Sequence, residues 1–329
     1  MFSRALDDVI VSELQAPHQH LRISVRPLRG GLESRVARAR LTSDAPGVPA
    51  RLIVKTVRGR CRRESEMYRL LGISAAGPPT PALLGVHADG DADHLYLEDV
   101  HPSIEWPWAD IDLAGAVCRA LAALHRLDLD GTRLAPWDYE LELLRSAEQT
   151  LQLAQTAGSQ TAVRVWARLG DLRRVVRALP YMRARLASQR PVVIHGDVHP
   201  GNVLVRNDGP RPSIVLIDWA RARYGSPFED LASWLQSLGC WEREARRRHD
   251  SLFKQYLRAS GSVVELSAST RTLYWYAAAS NGLAGAIRYH LAVLGDSKSS
   301  DRACALSGVA LRSWQRVIRR AAALVTTVG

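Results

Sequence analysis

The sequence predicts an α+β protein of two lobes, a small β-rich one with a single helix and a larger, mainly helical one. Three observations predict it. Apolar and polar side chains alternate with period 2 through the first hundred residues, the periodicity turns helical after Val100, and short β segments reappear between residues 192 and 222. A length of 329 residues suffices for two lobes that each bury a core, divided here as 1–100 and 101–329.

In order along the chain, "LRISVRPL" and "VARARL" flank a glycine turn, and "RLIVKTV" follows a Pro/Gly loop. A helix from Arg62 to Leu71 then runs to the stop signal Gly72. The Gly/Pro-rich "GISAAGPPTPALLG" leads into further strand, "HLYLEDV" alternates as a strand, and a linker lies near residue 100. Beyond it, Leu113, Val117, Ala120, Leu121 and Leu124 recur on one face of a buried helix. Residues 138 to 189 are helical in pattern, with breaks expected near Gly170 and Pro180. The segments "VVI", "NVLV" and "SIVLID" supply a short β-hairpin, and helices resume from Phe228 to the end. Ser226, Pro227 and Glu229 form the signature of a capping box that starts this helical run.

A composition 47% hydrophobic and 23% charged is that of a globular protein rather than a disordered or fibrous one. The N-terminal "MFSRALDDVIVSELQAP" has acids where a signal peptide needs an apolar region. No apolar run approaches the roughly 20 residues of a membrane span, so a cytoplasmic location and no membrane partner are expected. Cys61, Cys118, Cys240 and Cys304 lack zinc or disulfide spacing and read as buried thiols. The net charge of +11 invites nucleic acid as a partner. The arginine-dense stretches "RGRCRR" (58–63), "RRVVRALPYMRAR" (173–185) and "EREARRRHD" (242–250) are dispersed, however, and the last two read as solvated helix faces. No nucleic-acid partner is expected.

The chemistry gathers at "VVIHGDVHPGNVLVRNDGPRPSIVLIDWARA". Asp197 and Asn202 lie on a loop entering one strand, and Asp218 ends the next strand, so the hairpin turn would bring the loop and Asp218 side by side. Converging oxygen ligands of this kind suit Mg²⁺ shared with substrate phosphates, leaving Asp197 to orient or deprotonate a hydroxyl. Only three of the 44 basic residues are lysine, and one of them, Lys55, stands inside the apolar strand "RLIVKTV", where a compact ammonium has been chosen over a guanidinium. Gly30 and Gly31 could let backbone N–H groups approach phosphate oxygens, with Ser34 adding a hydroxyl. Lys55 would reach the phosphates and be held by an acid of the following helix; Glu64 and Glu66 face different ways, and Glu64 is favoured.

"IHGDVHPGN" followed by "VLIDW" resembles the catalytic loop and metal-binding segment of the aminoglycoside phosphotransferase family. "LRGGLESRVARA", "LIVKTV", "RESEMYRLL", "HLYLEDV" and "CRALAALHRLD" match that family's further motifs in order and spacing, so the resemblance covers roughly residues 25 to 240. It implies a bilobal, protein-kinase-like fold with a small antiparallel-sheet N-lobe plus one helix. Residues 1–100 would form the nucleotide-binding lobe and 101–329 the helical lobe with the catalytic loop and substrate pocket. It further implies Asp197 as catalytic carboxylate, Asn202 and Asp218 as Mg²⁺ ligands, Lys55 and Glu64 as a phosphate-orienting ion pair, and a hinge from Glu98 to Val100 that meets the purine of ATP or GTP. His199 stands where protein kinases carry lysine, which suggests a γ-phosphate contact. His195 is expected to support the loop, and Asp230 to bond the loop backbone from the start of the helix that follows.

The expected reaction is Mg²⁺-dependent transfer of the γ-phosphoryl group of ATP or GTP to a hydroxyl of a small molecule, an antibiotic being favoured. From Leu231 onward only six acids oppose fourteen basic residues, which argues for a neutral or anionic acceptor over a polycationic one, although Asp138, Glu140 and Glu142 remain as candidates to line an acidic pocket. Trp234, Trp241, Tyr274, Trp275, Tyr276 and Tyr289 are candidates to stack on a sugar or base, with core packing the plainer reading for most. A metabolic kinase of small alcohols is the alternative reading. A catalytically silent nucleotide-binding protein is disfavoured because every expected chemical residue is present.

Overall fold

The computed structural model describes residues 22–28, 34–42, 49–72, 79–100, 110–129, 134–160, 169–206, 212–261 and 266–325. In chain order its elements are β1 (Arg22–Pro27), β2 (Arg35–Thr42), β3 (Arg51–Arg58), α1 (Arg63–Gly72), β4 (Leu83–Asp89), β5 (Ala92–Glu98), α2 (Ile111–Leu124), α3 (Tyr139–Gln160), α4 (Leu169–Ala187), β6 (Val192–Ile194), β7 (Val203–Arg206), β8 (Ser213–Leu216) and β9 (Arg223–Gly225). The helices α5 (Pro227–Trp241), α6 (Arg243–Arg247), α7 (His249–Ala259), α8 (Ala268–Asn281), α9 (Ile287–Gly295) and α10 (Asp301–Val325) complete it. This is the α+β, kinase-like architecture expected, an antiparallel sheet followed by a mainly helical remainder.

The described residues fall into two compact units. The first lies within Met1–Pro107, Leu127–Ala135 and Gly201–Arg223, and the second within Trp108–Arg126, Pro136–Pro200 and Tyr224–Gly329.

In the first unit a five-stranded sheet has the order β1-β2-β3-β5-β4, every pairing antiparallel. Period-2 alternation puts Ala39, Leu41, Leu52, Val54 and Tyr96 into one buried cluster on one face, with Ile23 and Leu84 packed against it. Lys55, one residue out of phase with Val54, points to the other face of the central strand β3, where Val36 and Leu95 are its cross-strand neighbours. The hairpin β7–β8 pairs Val203 with Leu216 and Arg206 with Ser213, and leads into a single 3-10 turn, Trp219–Arg221, against which α1 packs.

In the second unit α5 packs on α8, α2 on α7, and α10 on α4 and α9. Trp234, Tyr274 and Tyr276 are buried here as core, as are Leu231, Phe253 and Leu257. Each such side chain contributes roughly 1.5–3 kcal/mol by leaving water. Trp241 and Tyr289 are instead exposed. The expected break at Pro180 does not occur. Pro180 lies inside α4, whose buried face of Leu172, Val175, Leu179, Met182 and Leu186 holds the helix through it. Here tertiary packing outweighs the cost of a missing N–H. Of the four thiols only Cys61 and Cys118 are buried, while Cys240 and Cys304 are partly exposed. Among the described residues no helix is long and apolar enough to cross a membrane.

Candidate active site

Within the first unit β3, α1 and the segment after β8 bring the side chains of Lys55, Glu64 and Asp218 together. Lys55 donates to Glu64 Oε1 at 2.9 Å and to Asp218 Oδ1 at 2.8 Å, and its Nζ lies 2.6 Å from Glu64 Oε2. Glu64 sits in the first turn of α1, where the helix dipole favours a carboxylate, and it is fully buried. Glu66, two residues on, turns away to accept the Ala135 backbone N–H at 2.8 Å, so it is Glu64 that meets Lys55. Burial pushes the Lys55 pKa down, but Glu64 and Asp218 outweigh it and raise it above the ordinary lysine value. Burial pushes the Glu64 carboxyl up to about 7, against the pull of Lys55.

Asp218 has φ 68° and ψ 66°, left-handed geometry that carboxylate residues tolerate better than branched ones but that still stores strain. Its neighbours fix it there. Trp219 is fully buried, and its indole N–H reaches both Leu216 O and Thr80 Oγ1 at 3.1 Å. The Ile217 N–H donates to Asn202 O at 3.0 Å, tying the buried Asn202 to the residue before Asp218. An amide oxygen and a partly exposed carboxylate are hard donors of the kind that suits Mg²⁺, which takes its remaining ligands from phosphate oxygens and water. Among the described residues no three His, Cys, Asp or Glu gather as a metal set.

At the strand end, Glu98 is held by Arg206 Nη2 at 2.6 Å and by the Ala82 N–H at 3.1 Å, while its own N–H donates to Ala82 O. The Val100 N–H donates to Glu98 O at 3.1 Å. Ser34 immediately precedes β2, and Gly30 and Gly31 lie outside the described residues.

The second unit carries the loop. His195 is wholly buried, and its Nδ1 accepts the Asp197 N–H at 3.3 Å. Gly196 adopts φ 81°, which only glycine enters without strain, and this turns successive N–H groups toward Asp230. Asp230 accepts from His195 N at 2.7 Å and Gly196 N at 2.8 Å. Two residues that sequence reading missed complete this anchor. His125 Nε2 lies 3.1 Å from Asp230 Oδ2, and His125 Nδ1 lies 2.8 Å from Tyr256 Oη. Burial opposes the Asp230 charge, but His125, His195 and the Gly196 N–H together lower its pKa. The sequence signal for His125 was a histidine ending an apolar helix, in the motif "CRALAALHRLD". Asp197 and His199 are half-exposed, with Oδ2 and Nε2 3.9 Å apart.

The capping box at Ser226 forms as its residues predict, with the Ser226 N–H donating to Glu229 Oε1 at 3.0 Å. Gly225 packs closely beside it: a Cβ there would lie 2.6 Å from Ile194 Cδ1 and 2.8 Å from Glu229 Oε1, so those two side chains would have to shift. Arg183 clamps the same corner, 3.0 Å from Glu229 and 2.7 Å from Glu140. The three acids left as candidates for an acidic pocket are each engaged. Asp138 accepts the Leu141 N–H, Glu140 is taken by Arg183, and Glu142 accepts the Trp137 indole N–H at 2.9 Å.

Comparison with known proteins gives the same outline. The model of the phosphotransferase enzyme family (APH) matches residues 24–273. No curated protein matches the sequence. The solved choline kinase from Cryptosporidium parvum is similar at 12% identity and a TM-score of 0.61, covering 99% of this chain and 97% of that one. A microcompartment-associated aminopropanol kinase is similar at 16% identity and a TM-score of 0.61, covering 96% of each chain. A thermostable mutant of aminoglycoside phosphotransferase APH(4)-Ia, solved with AMP-PNP and hygromycin B, is similar at 14% identity and a TM-score of 0.56, covering 96% and 98%.

Proposed function

The chain belongs to the phosphotransferase enzyme family, and from that premise we propose that it transfers the γ-phosphoryl group of ATP or GTP to a hydroxyl of a small molecule. The observation that carries the reading is the buried Lys55, kept charged between Glu64 and Asp218 at the face where a triphosphate would need a cation. Lys55 orients the phosphates, with Ser34 and the Gly30–Gly31 turn as further donors to them and the Glu98–Val100 segment meeting the base. Asn202 and Asp218 hold Mg²⁺, which when bound neutralises charge on the phosphates. Asp197 orients the acceptor hydroxyl and takes its proton, and His199 contacts the γ-phosphoryl oxygens. His195 and Asp230 hold the loop so that Asp197 need not reorganise during transfer. Residues up to 100 bind the nucleotide, and residues 101–329 supply the catalytic loop, the Mg²⁺ ligands and the acceptor pocket.

The acceptor is a neutral or anionic hydroxylated compound, an antibiotic by preference. The excess of fourteen basic residues over six acids from Leu231 onward supports this, as does the pairing of Glu140 with Arg183. The second reading is a metabolic kinase of small alcohols, favoured by the fold shared with the choline and aminopropanol kinases. The test is mass spectrometry of a mixed panel of antibiotics and hydroxylated metabolites incubated with the protein, Mg²⁺ and ATP or GTP. Gain of one phosphoryl group on one class identifies the acceptor, and Asp197→Ala lowers that turnover by roughly 10²–10⁴-fold. Wild-type turnover in Asp197→Ala refutes the role given to it.

A further inference from the structure

The arginine-dense stretch 242–250, which the sequence presents as a solvated face, lines a cavity of about 340 Å³ in the second unit. Its walls come from the C-terminal part of α5, the beginning of α8 and the middle of α10. It lies away from the loop around Asp197. At the far end of α8, Asn281 Nδ2 donates to Glu229 O at 2.8 Å beside the start of α5, so these helices run antiparallel and Arg271 and Trp275 fall at the opposite end. Asp230 and Gly239 are nine residues apart on α5, about 13 Å at the helical rise.

Charge in this cavity is one-sided. Arg246, Arg247, Arg271, Arg316 and Arg320 face a single acid, Asp250. That acid is already consumed by a two-pronged pair with Arg271 at 3.0 and 2.9 Å and by His249 Nδ1 at 3.2 Å. Arg247 has an exposed partner, Glu244, at 3.7 Å. Among the described residues no carboxylate pairs with Arg246, Arg316 or Arg320. Partial burial, with the charges of Arg246, Arg319 and Arg312 around it, lowers the pKa of Arg316. Burial likewise lowers that of His249. The arrangement is also braced. The Arg320 guanidinium sits 4.6 Å over the Trp275 ring, and His249 stacks on Trp275 at 5.9 Å and 4° while its Nε2 meets Tyr274 Oη at 2.8 Å. Guanidinium groups present forked donors that suit oxyanions, and crowding them without counter-charge costs energy that such a ligand returns.

We propose that this cavity binds a small oxyanion of at least two negative charges, a phosphate compound or a polycarboxylate, held by Arg246, Arg316 and Arg320. Its volume is on the scale of a small-molecule site, and it is concave rather than an extended basic stripe. The test is isothermal titration calorimetry of the full chain in Mg²⁺-free buffer, with inorganic pyrophosphate in one arm and citrate in the other. The proteins are wild type, the double variant Arg246→Gln/Arg316→Gln, the separate variant Arg320→Gln, and Lys55→Met. Binding of either anion is expected to weaken at least about tenfold in both arginine variants, which is 1.4 kcal/mol, and to persist in Lys55→Met. Pyrophosphate alone binding identifies phosphate chemistry, and citrate alone carboxylate chemistry. All three arginines are exposed, so melting curves close to wild type are expected for their variants. Absence of binding by wild type, unchanged binding in either folded arginine variant, or loss in Lys55→Met would each overturn the proposal.

Discussion

Burial disfavours the charge on Lys55, and the two carboxylates that outweigh it have unequal roles. Glu64 is buried on α1, where it meets Lys55 and the Trp219 backbone N–H. Asp218 is more than a third exposed and can be drawn away by a ligand. Replacing Glu64 by Gln keeps a hydrogen-bond acceptor but removes the charge that centres the ammonium, leaving Asp218 to hold it alone. Glu64→Gln is therefore expected to raise the nucleotide KM by about tenfold, a loss near 1.4 kcal/mol, with a smaller fall in kcat. Steady-state kinetics with varied nucleotide measure both constants, and an unchanged KM would refute the positioning role. The importance of Lys55 was legible in the sequence because a lysine interrupts an apolar strand of an arginine-rich chain. That Glu64 and Glu66 cannot both meet it was legible from helix geometry, two residues turning the side chain to another face, but which of them does so was not, because that depends on how α1 sits against the sheet.

At the scale of the element, α5 decides how the loop is held, because its first turn carries both the capping box and Asp230. The folded-state pKa of Asp230 is lowered, so its contribution to stability is present above the ordinary aspartate range near pH 4 and is lost as pH falls through the lower folded value. Asp230→Asn cannot accept two backbone N–H groups and face His125 as well. It is expected to cost about 1–3 kcal/mol for a buried donor left without its acceptor, and to flatten the fall in stability between about pH 5 and 3. Urea unfolding across that pH range measures both, and an equally steep acid limb in the variant would show that another carboxylate sets it. The cap itself was legible because Ser226, Pro227 and Glu229 are local chemistry. The bonds from Asp230 to His125 and from His125 to Tyr256 were not legible, since they link residues more than a hundred positions apart that no periodicity connects. Pro180 misled for the converse reason, a strong local signal overruled by the buried face of its helix.

At the scale of the molecule, the fold class was legible because period 2 and period 3.6 segregate along the chain. The composition of its compact units was less so, since residues 201–223 join the sheet unit through contacts such as that of Leu216 N with Pro79 O at 2.7 Å. That grouping has a thermodynamic consequence. Lys55, Asn202 and Asp218 all belong to one unit, so a nucleotide held by them stabilises that unit directly. A ligand binding only the native form at a hundred times its Kd adds about 2.7 kcal/mol, equivalent to several degrees of Tm for a chain of this size. If Asp218 ligates Mg²⁺ as proposed, part of that gain depends on its carboxylate, which is otherwise engaged by Lys55. In differential scanning calorimetry, ATP or GTP with Mg²⁺ is expected to raise the Tm of wild type by more than nucleotide alone. Asp218→Asn should lose the Mg²⁺-dependent increment while keeping the metal-free shift, because Lys55 and Glu64 remain in place. The same Mg²⁺-dependent increment in Asp218→Asn as in wild type would remove Asp218 from the metal site. A variant that lost the metal-free shift as well would show instead that Asp218 acts by holding Lys55, so the two shifts separate ligation of the ion from support of the ammonium.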